Sequence, residues 1–273
     1  MTGSTTAGPL TSRNPGLRFG PDEAPWQRRL PEFASAVEAV SLIMPHAEPY
    51  VVDAAERVLD DLPPDLRGQT RGYIRQERSH HAQHRRFNDA VIGVPGDRVG
   101  RWLAGLDRAM AATFRFLSRR SARFGIAFAA GFETIAFAGA RWVEPRIGRL
   151  FGAADDDGAR LFLWHLAEEV EHKGVAHDAW IAADGRRSRY LLAMWTAALL
   201  LAVFSFAGTM LLLVRRRRWW SPLAHARLAW WSLTFVFEAV TLMMVSALPG
   251  HHPDQLADPG YLKAWLWDLD ADR

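Results

Sequence analysis

The sequence predicts an all-α fold: a helical bundle followed by an apolar helical hairpin. Three observations predict it. Apolar residues recur at helical spacing along most of the chain, and no alternating run is set between hairpin turns. A Glu followed three positions later by a His occurs in two such stretches, at Glu77 and His80 and again at Glu169 and His172. Two later stretches, Tyr190 to Val214 and Leu228 to Leu248, are apolar almost throughout. No internal linker and no repeat of fixed period divides the 273 residues, so residues 31–185 read as the bundle and 186–273 as a hairpin and tail packed on it.

The elements follow in order. Met1 to about Asp22 is rich in Gly, Ser, Thr and Pro with no apolar run, which predicts a disordered start, to about residue 30, without the greasy centre of a secretory signal. The expected location is the cytoplasm or the cytoplasmic face of the inner membrane. Pro45 to Leu62 reads as a first helix with proline in its opening turn. A second begins near Asp65, after Pro63 and Pro64, and is stopped at Gly93 and Pro95. Arg98 to Arg119 is amphipathic, and Ser121 to Val143 is apolar almost all round, with Glu133 its single acid. A fifth helix starts behind Asp155, Asp156 and Asp157, acids that suit a helix N-terminus, and reaches about Ala183.

Composition narrows the chemistry. Cysteine is absent, which removes disulfides, iron–sulfur clusters and thiol catalysis and leaves His, Asp and Glu as the strong metal ligands. The net charge is only +3, carried mainly by Arg, and no aromatic-interleaved reading motif accompanies it; a nucleic-acid partner is not expected.

Spacing of three places a Glu and a His on one helix face, where together they can grip a metal ion. Glu48 on the first helix and Glu133 on the fourth complete the order acid, Glu-x-x-His, acid, Glu-x-x-His, the ferritin-like pattern for two ions. Asp53 or Glu56 are rivals to Glu48, and His81 is a rival to His80. Glu133 sits in GFETIAFAGA, where an uncompensated carboxylate costs several kcal/mol, so it needs either a metal or an Arg such as Arg141. His165, Glu169 and His172 form one stripe, as do Glu77, His80 and His84. The expected ligands are therefore Glu48, Glu77, His80, Glu133, His165, Glu169 and His172. His84, His81, Glu168, Asp178 and Glu238 are expected behind them or facing substrate. Two irons suit this donor set best, with manganese or zinc as alternatives; the reacting group is then oxygen or water held by metal, with no protein nucleophile.

The runs IRQERSHHAQHRRFN at 74–88 and WHLAEEVEHKGVAHD at 164–178 resemble the signature blocks of a bacterial family catalogued as predicted metal-dependent hydrolases. PHAE at 45–48 and PGHHP at 249–253 resemble its weaker flanking blocks, so the likeness covers roughly residues 30–260. The family's first block usually reads Pro-x-Gly-Glu; Glu48 matches by place and the Gly is replaced by Ala47. The spacing of His165, Glu169 and His172 is also similar to that of the di-iron arylamine N-oxygenases. The likeness implies a metal-dependent enzyme. Two reactions fit: oxidation of a small lipophilic substrate by dioxygen with an electron donor, or hydrolysis of an ester or phosphoester by metal-activated water. A non-catalytic iron-binding or membrane protein is a third reading.

Tyr190 to Val214 carries no charge and is long enough to cross a bilayer. Trp219, Trp220, Trp230 and Trp231 and the run Arg215 to Arg218 then suit an interface with membrane lipid, and Glu238 suits a pocket facing the metal domain. Spanning would place the Arg-rich turn inside and the metal domain outside, which a shallow insertion avoids. The alternative is a pair of buried core helices.

Overall fold

The computed structural model describes residues 10–19, 26–92, 98–152, 156–262 and 264, without the side chains of 91 and 92. Among them there is no strand. The helices are α1 (Pro31–Ser41), α2 (Met44–Glu56), α3 (Pro64–Phe87), α4 (Arg98–Leu117), α5 (Ala122–Val143), α6 (Ile147–Leu150), α7 (Asp157–Ala183), α8 (Arg187–Arg215) and α9 (Pro222–Ser246). A π turn at Asn88–Ile92 extends α3. The stop at Gly93 and Pro95, Asp155, and residues 1–9, 20–25 and 265–273 lie outside the described residues.

Local chemistry sets the helix ends. Proline occupies the first turns of α1, α2, α3 and α9, where its missing N–H is no loss. Ser121, Asp156 and Ser221 accept from the backbone N–H groups of Phe124, Gly158 and Ala224, satisfying donors that a helix start leaves free. Gly185, at φ +62°, ends α7 with its N–H bonded to the Trp180 carbonyl at 3.0 Å.

Packing closes a ring. α2 lies against α3, α3 against α7, α7 against α5 and α5 against α2, a four-helix bundle. α8 and α9 form a layer outside α5, with α1 and α4 also against α8. Gly131 lets α5 and α8 touch: a Cβ there would sit 2.6 Å from Met194 Cα. The hairpin thus shares the bundle's core, through Tyr190, Ala193, Met194 and Met243.

Two features differ from the sequence expectation. α1 is an additional helix, cut off from α2 at Leu42 and Ile43; it is held by Glu38 to Arg216 and Glu32 to Arg227, ion pairs that no local pattern announces. Residues 10–19, expected to be disordered, lie as irregular chain on the bundle, with Leu17 and Arg13 buried.

Candidate metal centre

Each helix of the ring sends one acid inward. Glu48 comes from α2, Glu77 from α3, Glu133 from α5 and Glu169 from α7, all between 0 and 2% exposed. Their ion pairs among the described residues are with histidines alone. His172 Nδ1 lies 2.8 Å from Glu77, 3.5 Å from Glu169 and 3.7 Å from Glu133. His80 Nδ1 lies 3.6 Å from Glu169 and 3.8 Å from Glu77. Glu77 and Glu169 therefore stand between the two imidazoles. Glu133 stands on the His172 side, and Glu48 on the side of His165, at 3.8 Å.

The decisive feature is what these atoms lack. Glu48 Oε1 and Oε2, Glu77 Oε1, His80 Nδ1, Glu133 Oε2, Glu169 Oε2 and His172 Nδ1 are all buried and make no aligned hydrogen bond, although His172 Nδ1 approaches Glu77 Oε1 to 2.8 Å. Orphaned buried polar atoms are rare and costly; here they belong to the six residues of the acid and Glu-x-x-His pattern. Four carboxylates and two divalent ions cancel in charge, so the residues fit a pair of metal ions. One atom each from Glu77, His80, Glu169 and His172 lies within 4.8 Å of the others, and the same holds for Glu48, His84 and His165.

Electrostatics agree. Burial, then the neighbouring carboxylates, raise Glu48 well above the usual range. Burial followed by Glu169 does the same to Glu133. Burial lowers His80 and His84 well below theirs. Burial would raise Glu169, yet His172 and His165 hold it well down; burial would lower His172, yet Glu169, Glu133 and Glu77 raise it.

The outer nitrogens are held from behind. His80 Nε2 bonds to Glu168 at 2.9 Å, and Arg13 donates to Glu168 at 3.2 Å. His172 Nε2 bonds to Gln76 Oε1 at 2.9 Å. Gln76 Nε2 donates to Glu171 at 2.9 Å, and Arg13 donates twice to that same carboxylate. Both imidazoles thereby turn Nδ1 inward. Burial pushes Glu168 up to about 7.

A third thread fixes His165. Asn88 Nδ2 donates to the Ser41 carbonyl at 2.8 Å, so its Oδ1 is the end that accepts from the Ser41 hydroxyl at 2.6 Å. With that proton committed, Ser41 Oγ accepts from His84 Nδ1 at 2.8 Å. His84 Nε2 then accepts from His165 Nδ1 at 2.6 Å. His165 Nε2 is left with its lone pair 2.7 Å from Glu169 Oε1. Two acceptors face each other, and only a cation between them, a proton or a metal ion, reconciles them.

The structure brings together Glu48, Glu77, His80, Glu133, His165, Glu169 and His172, with His84 and Glu168 immediately behind. Three expected residues are elsewhere. Glu238 pairs with Arg141 at 3.1 Å in an open surface pocket instead of facing the metal domain, which also takes Arg141 away from Glu133. Asp178 bonds to His252 at 2.8 Å, beside His177. His81 is half-buried, outside both ligand groups. Asp53 and Glu56 pair with Arg57 and Arg78 near the surface. Sequence reasoning missed Tyr73, whose hydroxyl donates to Glu133 at 2.8 Å; it sits four positions before Glu77 on the same stripe, a signal that was there to read. Gln76 and Arg13 gave none.

A model of the family described as predicted metal-dependent hydrolase matches residues 11–257. The chain belongs to that family. All seven clustered ligand candidates fall inside the matched span, and so does Arg13. No curated protein and no solved structure matches the chain. Membership of the family and a buried set of groups suited to metal make it a predicted metal-dependent enzyme.

Proposed function

We propose that this family member holds two iron ions and oxidises a small lipophilic substrate with dioxygen and an external electron donor. The supporting observation is the set of orphaned inward atoms. Glu48, Glu77, Glu133 and Glu169 would hold the ions through oxygen, and His80, His172 and His165 through nitrogen. When bound, the irons provide the electrons that dioxygen chemistry requires.

The chain's own residues do the rest. Glu168 and Gln76 keep the imidazole lone pairs aimed inward. Trp164 packs edge-on against His80 at 4.8 Å and helps exclude water. Tyr73, pushed well above the usual phenol range by burial and then by Glu133, keeps its proton and gives it to the Glu133 hydrogen bond. The family description favours a second reading, hydrolysis by metal-activated water. Against a phosphoester, the four acids have no Lys or Arg among their ion pairs with the described residues to meet a phosphate.

Anaerobic loading with ferrous iron followed by an oxygen pulse tests this. The expected result is two irons per chain and a visible band that needs oxygen. Ester or phosphoester turnover with zinc or manganese, indifferent to oxygen, would overturn the oxidative reading in favour of the hydrolytic one.

A further inference from the structure

We infer that the outer faces of α8 and α9 lie on an anionic membrane surface and that α8 does not cross the bilayer. The inference is independent of the metal chemistry. Residues 122–150, 187–215 and 222–246 are each long and apolar enough to cross a membrane, but 83% of the first apolar window is inside the protein, against 33% and 28% of the other two. α8 exposes Leu192, Leu199 and Phe206, seven positions apart, and α9 exposes Trp230, Leu233 and Phe237, each more than half open to solvent. Each set forms one stripe, facing away from the bundle. An apolar surface of this extent marks a partner.

Charge selects the partner. At the turn after α8, Arg217 and Arg218 are exposed beside Trp219 and Trp220, which is 86% exposed. At the opposite end of α8 an open pocket is lined by Arg120, Arg186 and Arg189 together with Leu192 and Thr196. Guanidinium groups at both ends of an apolar strip, with indoles at one of them, match anionic head groups over an acyl boundary.

Neighbouring helices settle the orientation. α4 runs beside α8: Leu106 Cδ2 lies 3.7 Å from where a Gly208 Cβ would be, and Leu117 shares the far pocket with Thr196. Between those two leucines α4 exposes Asp107, Arg108 and Arg115. An α8 standing across a bilayer would carry these charges through the hydrocarbon, which is prohibitive. An α8 lying in the surface keeps them in water.

Two experiments with the full chain test the inference. In flotation, the chain is expected to rise with phosphatidylcholine vesicles containing phosphatidylglycerol. The Phe206→Asp, Phe237→Asp double variant should bind at least about tenfold more weakly. Arg217→Glu with Arg218→Glu should lose the preference for phosphatidylglycerol; circular dichroism confirms that the variants fold. No flotation, with a solution dimer that covers these faces, would instead assign them to a second copy and overturn the inference. The chain has no cysteine, so Ser188→Cys and Arg218→Cys place single thiols at the two ends of α8. With an impermeant maleimide, neither should be labelled in intact expressing spheroplasts and both after lysis; labelling of one without the other in intact spheroplasts would show crossing and overturn it.

Discussion

His80 and His172 owe their orientation to residues that never reach the centre. Glu168 holds one and Gln76 with Glu171 holds the other, and a single guanidinium, Arg13, ties both threads together. Arg13→Ala should therefore release metal to a competing chelator about 10–100-fold more readily, with Arg13→Lys intermediate because it cannot bond the carboxylate as a fork. Unchanged release would reduce Arg13 to a pin for the N-terminal segment. Glu133 makes a sharper case. In the metal-free protein it is one of four crowded buried carboxylates, so Glu133→Gln should stabilise that form by about 1–3 kcal/mol while shrinking the gain on adding metal. Thermal melts with and without metal read both signs, and a metal-free variant that melts lower than the parent contradicts the crowding. At this scale Glu77, Glu133, Glu169 and His172 were legible from helical spacing and apolar context, whereas spacing left His81 a rival to His80, and Asp53 and Glu56 rivals to Glu48. Arg13 was not, because it sits in a polar segment without regular structure and its partners are more than 150 positions away in sequence. Glu238 misled for a related reason: an acid in an apolar helix announces a need for a partner without saying that Arg141 supplies it.

Elements are positioned by what is missing from them. Gly131 leaves room for the α8 backbone at Met194, and Gly125 leaves room for Ala54 of α2, so α5 can touch two layers at once. A methyl at Gly131 has backbone on its far side and nowhere to go. Gly131→Ala is expected to cost about 1–3 kcal/mol and to lower the melting temperature by several degrees. Gly148→Ala, with nothing within 4 Å of the added carbon, should leave stability level or slightly higher; equal melts for both would show that α5 and α8 can part freely. Most helices could be read from apolar spacing, prolines and caps. α1 could not, since Pro45 pointed to a single helix start and the short stretch before it is fixed by ion pairs with Arg216 and Arg227 that exist only after folding. Nor could the π turn at Asn88, which sets the amide that orients Ser41 and His84.

For the whole molecule, metal and stability are one equilibrium. Ions that bind only the folded chain should raise its stability by about 2.7 kcal/mol at a hundredfold excess over Kd, and a chelator should reverse this. Protons compete for the same atoms. Burial raises Glu48 and Glu133; His172, which burial would lower, is raised by Glu169 and its fellow acids. Each group so raised keeps its proton to a higher pH than usual and must lose it to become a ligand. Binding therefore releases protons, and affinity should climb as pH rises from the ordinary carboxyl value of 4.5. Titration calorimetry in buffers of differing ionisation enthalpy measures the release; affinity that is flat with pH would contradict the assignment of these side chains. The ring of α2, α3, α5 and α7 also has a consequence for synthesis. A ribosome emits Glu48, Glu77 and His80 long before Glu169 and His172. An ion arriving early would meet half a cradle, so loading is expected to wait until translation has passed α7 and the shell can close around it.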